Sequence, residues 1–165
     1  FCPYIVEAVV LGHQKPYVTA MICIDFKHTG KWAEDRRIGY TTYTDLAAKM
    51  EVYDLIEGEV VRVNRSLPEG ARIRKFLLLY KELDPDDEEL TRTKKVRRKF
   101  INEKYAKEIG GLYSDKESLD IESIIRYQDG KTATLRTTLQ VRTVKSPEEY
   151  DAIERVSWWK RIFGK

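Results

Sequence analysis

Ile73-Arg74-Lys75-Phe76-Leu77-Leu78-Leu79-Tyr80 is the stretch whose reading decides the fold. Phe76 to Leu79 is four large apolar residues in a row. A strand with one face in water alternates apolar and polar positions, so an unbroken run is too apolar for an exposed edge. It is expected as a strand of a sheet covered by other elements.

Working outward, the segment before it is helical. Tyr40 to Pro68 carries Thr42 and Asp45 as a capping box, with the acid three residues after the hydroxyl. Val52, Leu55, Ile56, Val60, Val63 and Leu67 then repeat at helical spacing and predict a helix over 44–67. Gly58 weakens that stripe, and Pro68 and Gly70 end it. Further out lie two β-branched-rich runs, Ile5 to Leu11 and Val18 to Phe26. The polar turn Gly12-His13-Gln14-Lys15-Pro16 separates them, so they read as neighbouring strands. Lys27 to Gly39 reads as a short helix carrying Trp32.

On the other side, Lys81 to Thr93 reads as a solvated acidic loop. Six acids fall between Glu82 and Glu89, and eight bases with one acid follow between Arg92 and Lys107. From Lys95 a helix is expected to Tyr113, with Ile101, Tyr105, Ile109 and Leu112 on its buried face and Gly110-Gly111 loosening its end. Ser114 to Leu119 is a linker. Ile121 to Gln128 and Thr132 to Val144, joined by Asp129-Gly130, form a predicted hairpin. Ser146-Pro147-Glu148-Glu149 starts a last helix over 147–163. Hairpin and helix are expected to cover each other, through Ala133, Leu135, Leu139 and Val141 on one side and Ile153, Val156, Trp159 and Ile162 on the other.

The periods switch between 2 and 3.6, which predicts an α+β fold: a small mixed β-sheet covered by helices, with an added C-terminal β-hairpin and helix. The expected division is 1–113 for the main domain and 114–165 for the appendage. With 165 residues, 42% hydrophobic and 35% charged, the chain can bury a core. Its net charge of +3 dictates no partner. Cys2 and Cys23 are too few for a disulfide framework and lack metal-site spacing, so two free thiols and no metal site are expected. His13 and His28 read as surface histidines. No apolar run reaches membrane length. The start Phe1-Cys2-Pro3-Tyr4 lacks an initiator methionine and enters a strand at once, which suggests a piece of something longer.

Several stretches carry a family resemblance. Tyr4-Ile5-Val6-Glu7-Ala8-Val9-Val10-Leu11-Gly12 resembles Tyr-Ile-x-x-Ala-Val-Val-x-Gly. Leu90-Thr91-Arg92-Thr93-Lys94-Lys95-Val96-Arg97-Arg98-Lys99 resembles Leu-Thr-Pro-Thr-Leu-Lys-x-Lys-Arg-Lys. Lys15 to Ile22, Tyr40 to Tyr43 and Val52 to Ile56 add to the match, which spans roughly 3–113. The chain is similar to the small C-terminal domain of the AMP-forming, adenylate-forming superfamily, and most similar to its bacterial long-chain fatty acid–CoA ligases.

The resemblance implies a two-step ligase. Fatty acid and ATP give acyl-adenylate, and coenzyme A then displaces AMP. It implies ATP and Mg held mainly by an N-terminal nucleotide-binding domain, coenzyme A as substrate, and a lid that swings between two poses. The family's catalytic lysine falls on Lys95. Arg92 stands where the family often has proline, and Lys94 where it often has an apolar residue, so the adjacent Lys94 stays open as the alternative. Thr93, Arg97 and Arg98 are candidate substrate-binding residues, while Arg97, Arg98 and Lys99 also read as a surface without a specific role. A carboxylate attacking a phosphate brings two anions together, and a positioned ammonium offsets that repulsion.

Two other readings follow from the residues. The basic stretch from Arg92 to Lys107 could serve nucleic acid, but Phe100 and Tyr105 sit at helix spacing and the pI is only about 8.7. Trp158-Trp159-Lys160-Arg161-Ile162-Phe163 suits a membrane interface. A helix packed on its own protein is the favoured alternative, with cytoplasmic localisation.

Overall fold

A computed structural model describes residues 2–126 and 132–163, with side chains described at 2–122, 134 and 136–156. Its centre is a four-stranded sheet in the order β1 (Ile5–Leu11), β2 (Val18–Ile24), β3 (Ile73–Leu78), β6 (Arg142–Thr143). β1 and β2 are antiparallel, β2 and β3 parallel, β3 and β6 antiparallel, so the sheet is mixed as expected. A parallel pair needs a long crossover. Here it contains α1 (Phe26–Asp35), α2 (Tyr43–Ala48) and α3 (Met50–Asn64).

The apolar run is explained by burial on both faces. Phe76 and Leu78, with Ala20, Ile22 and Ile24, pack under α1–α3. Leu77 and Leu79, with Met21 and Cys23, pack on the opposite face. That face is covered by α4 (Arg98–Lys104), α5 (Ala106–Leu112) and the hairpin β4 (Ser118–Arg126)–β5 (Thr132–Gln140).

Two expected helices are each divided. Thr42 caps α2, accepting from Asp45 N at 3.1 Å, while Asp45 accepts from Thr41 N at 2.9 Å. Lys49 then takes an extended ψ of 133° and α3 starts anew. The buried face of α3 is Val52, Tyr53, Ile56, Glu57, Val60, Val61 and Asn64, and Val63 is exposed. The helix expected from Lys95 begins instead at Arg98 and breaks at Tyr105. Ile101, Tyr105 and Leu112 are fully buried on its inner face, as expected. The second strand stops at Ile24 because Asp25 caps α1, accepting from His28 N at 2.8 Å.

The C-terminal segment departs most from expectation. The side chains of Ala133, Leu135, Trp159 and Ile162, through which hairpin and last helix were expected to meet, lie outside the described residues. Leu119, Ile121, Leu139 and Val141 enter the core beside α4 and α5, and β6 completes the sheet. The last helix, α6 (Pro147–Phe163), packs against α3, leaving Ile153 52% and Val156 57% exposed. Its capping box is present: Ser146 N donates to Glu149 and Glu149 N to Ser146 Oγ.

Two glycines receive the segment. A Cβ at Gly58 would lie 2.8 Å from the Tyr150 hydroxyl, and one at Gly111 would lie 2.2 Å from Leu119 Cδ1. Both residues weaken helices locally, and both permit a close approach from far along the chain. α3 also supplies Tyr53, whose hydroxyl donates to Gln140 O at 3.0 Å and accepts from Leu78 N at 3.2 Å. One turn on, buried Glu57 accepts from Lys145 Nζ at 3.0 Å and Arg142 Nη1 at 3.2 Å.

The Asp129-Gly130 turn lies outside the described residues, as do the side chains of Trp158 to Phe163. No helix among the described residues is long and apolar enough to cross a membrane.

Candidate functional site

The stretch from Leu90 to Val96 is a small hairpin, not the first turn of a helix. Leu90 and Val96 form an antiparallel bridge. Between them Lys94 N donates to Thr91 O at 2.8 Å and Thr91 N to Lys95 O at 2.8 Å. Lys94 sits at φ 59°. A tight turn followed by a left-handed residue is a standard three-residue hairpin loop. Lysine adopts that conformation at a cost of about 1 kcal/mol. The threonines hold the loop: Thr91 Oγ1 accepts from Lys95 N at 3.0 Å and lies 3.0 Å from Thr93 Oγ1.

The loop carries both candidate lysines, each exposed. Lys95 stands at the base of the loop, exposed, and among the described residues its ammonium meets no acceptor. Lys94 is exposed too, at the strained corner. Thr93 is engaged by Thr91. Arg97 reaches Glu88 at 3.3 Å and lies over the Phe100 ring at 5.5 Å. Arg98 donates to Val10 O on edge strand β1 at 3.0 Å. Arg97, Arg98, Lys99, Phe100 and Glu103 line a shallow hollow of about 410 Å³ next to the loop. A larger groove of about 780 Å³, with Lys15 and Arg98 among its lining residues, runs between the β1–β2 turn and α4–α5.

The basic stretch is not a free array of charge. Lys104 pairs with Asp87 and Glu89, and Lys107 donates to Asp120 O. That removes several bases from the surface a nucleic acid would need.

The residue that sequence reading missed is Glu89. It stands in the acidic run and was expected in solvent, yet it is 0% exposed. Its carboxylate accepts from Tyr105 at 2.6 Å, Lys81 at 2.8 Å, Lys104 at 2.9 Å and Asp84 N at 2.9 Å. Burial alone would raise its pKa, but the bonds from Lys81, Tyr105, Lys104 and Asp84 N together hold it below the usual glutamate value. Burial and then Glu89 push the Tyr105 hydroxyl well above the usual tyrosine range, so it stays a donor. Lys81 in turn holds Asp87 below the usual carboxylate range. The one available signal was position: Glu89 ends the acidic run beside apolar Leu90.

Elsewhere, both cysteines are free thiols, and burial pushes Cys23 up to about 12. Among the described residues no group of histidine, cysteine and acid side chains could hold a metal ion.

Comparison with known proteins gives concordant matches. The family profile described as AMP-binding enzyme C-terminal domain matches residues 2–117. The long-chain-fatty-acid–CoA ligase FadD15 of Mycobacterium tuberculosis is 34% identical over 113 residues, 68% of this chain and 19% of that protein. The putative fatty-acid–CoA ligase fadD11 of the same species is 31% identical over 113 residues, 68% of this chain and 20% of that protein. This chain thus spans about a fifth of the length of these relatives. Among solved structures, the adenylation domain of a carboxylate reductase from Mycobacterium chelonae matches with a TM-score of 0.51 and 18% identity, covering 68% of this chain and 16% of that one. At that identity the likeness concerns the fold.

Proposed function

Since the chain belongs to the family of AMP-binding enzyme C-terminal domains, we propose that it works as the lid of an ATP-dependent, AMP-forming long-chain fatty acid–CoA ligase and supplies Lys95 to the adenylation step. The observation that carries this reading is the exposed loop of two threonines that holds Lys95, whose ammonium, like that of Lys94, meets no partner among the described residues. A loop lysine can be brought to the carboxylate and α-phosphate as they meet, then withdrawn when the lid moves. The flanking hollow at Arg97 and Arg98 offers cations for the phosphates of coenzyme A.

ATP, Mg and the acyl chain are assigned to an N-terminal nucleotide-binding domain of the same polypeptide. When bound there, Mg supplies charge neutralisation of the phosphates. The relatives' names, which specify fatty acid–CoA ligases, support the substrate class. Lys104, engaged by Asp87 and Glu89, and Lys107, which donates to Asp120 O, weigh against nucleic acid.

The chain alone is expected to fold and to release no AMP from ATP, a long-chain fatty acid, Mg and coenzyme A. The same chain joined to its nucleotide-binding domain is expected to turn over. Steady AMP release by this chain alone would overturn the assignment of the remaining parts.

A further inference from the structure

The lysine hairpin has little apolar anchoring of its own. Leu90 and Val96 are only partly buried, and Arg92 to Lys95 are exposed. Besides these two partly buried contacts, one fully buried residue fastens it. Glu89 N donates to Asp84 O at 3.2 Å, and Glu89 O accepts from Arg97 N at 2.9 Å. The bond from Arg97 N closes the base of the seven-residue loop, and the bond to Asp84 O ties that base to the turn before it. The Glu89 side chain is gripped by three elements: Lys81 just past β3, Lys104 at the end of α4, and Tyr105 at the α4–α5 break.

Burying a carboxylate is an expensive way to gain stability, because an apolar residue of similar volume often does as well. A network with four donors does something an apolar contact does not: it fixes one geometry. The α4–α5 break fits this role. An uninterrupted helix was expected through Tyr105, yet the chain breaks at the residue whose hydroxyl reaches Glu89.

We propose that Glu89 is the positioning residue of the lysine loop: held by Lys81, Lys104 and Tyr105, it sets where Thr91–Lys95 presents the Lys95 ammonium. Glu89 touches no substrate and acts through the main chain of the loop. The functional half of this inference rests on Lys95 serving adenylation, while the structural half stands without it.

Amide hydrogen exchange on the folded chain tests the structural half. Tyr105→Phe removes one donor and leaves the ion pairs, and Glu89→Gln removes the charge. In both, the amides of Lys95 and Arg97 are expected to exchange at least about fivefold faster, the equivalent of one lost hydrogen bond. Leu79 N, bonded to Ile22 O in the sheet at 2.9 Å, is expected to stay as protected as before. Unchanged loop amides in both variants, or equal loss at Leu79, would overturn the proposal.

The functional half is read in the polypeptide that also holds the nucleotide-binding domain. Glu89→Gln is expected to lower kcat for adenylate formation about tenfold, with KM for ATP and fatty acid within twofold. Thioester formation from preformed adenylate should be unchanged. Added to Lys95→Ala, it should cause no further loss, because the two act as one unit. A full additional loss on the Lys95→Ala background would overturn the positioning role. If Lys95→Ala alone leaves adenylation intact, the reading of Lys95 fails, and the exchange result still decides whether Glu89 orders the loop.

Discussion

Glu57 and Glu89 are both buried glutamates gripped by lysines, on opposite faces of the same sheet, and they fasten different things. Glu57 lies on α3 and takes Arg142 and Lys145, which follow the hairpin. It joins the first part of the chain to the last. Glu89 lies beside the lysine loop and takes Lys81, Lys104 and Tyr105. It joins a local loop to the core. The same chemistry serves architecture in one place and presentation of a side chain in the other. Glu57 is therefore expected to act on the stability of the whole fold, and Glu89 on the order of one exposed loop.

The largest stability effect should come from Glu57→Ala. It leaves Arg142 and Lys145 without their buried partner and is expected to cost about 3 kcal/mol, the low end for one-sided loss of a buried pair, because Lys145 reaches solvent. Chemical denaturation of the chain measures it. A loss under about 1 kcal/mol would mean that β6 and α6 are not held by this residue.

Gly111→Ala tests the same stitching from the other face. The new methyl would meet Leu119 Cδ1 at 2.2 Å and Cγ at 2.8 Å. Overpacking costs about 1–3 kcal/mol, and alanine returns up to about 1 kcal/mol of helix propensity. A net loss of about 1 kcal/mol is expected, and a gain would show that Leu119 swings aside.

A smaller effect reads the state of Glu89 by pH. The Glu89 pKa is lowered in the folded chain. Its contribution is therefore fully present above the ordinary glutamate value near 4.5 and is lost as pH falls through the lower folded value. Asp87, lowered by Lys81, adds with the same sign. Stability should thus decline in acid below about that ordinary value, and the decline should be shallower in Glu89→Gln. Identical acid slopes in the two proteins would deny Glu89 its ionised, bonded state.

The sheet was legible in the sequence because its signals are local. Ile5–Leu11, Val18 onward and Ile73 onward announce themselves by β-branched and apolar runs, and the Thr42 and Ser146 boxes by residues three apart. The missed features all need a distant partner. The break falls at Tyr105, whose hydroxyl meets Glu89 sixteen positions earlier, and nothing in helical period marks it. Six neighbouring acids look alike until the fold buries one of them. Gly58 and Gly111 read as defects because Tyr150 and Leu119, which need their space, lie elsewhere in the chain. Two residues of β6 are too short to announce a strand, and the entry of Leu119, Ile121, Leu139 and Val141 into the core depends on α4 and α5. In the candidate site, the loop motif was visible as Thr91, Thr93 and Lys95, but the side chain beneath it was not.

The most direct measurement compares the two half-reactions in the polypeptide containing this chain and its nucleotide-binding domain, for Lys95→Ala, Lys94→Ala and folded Glu57→Ala. Lys95→Ala should slow adenylate formation by ~10²–10³, the usual loss for one charge-stabilising donor, and leave thioester formation from preformed adenylate nearly unchanged. Lys94→Ala and Glu57→Ala should leave the ratio of the two rates where it stands. Equal losses in both halves for Lys95→Ala, or a selective loss in Lys94→Ala instead, would contradict the assignment of Lys95.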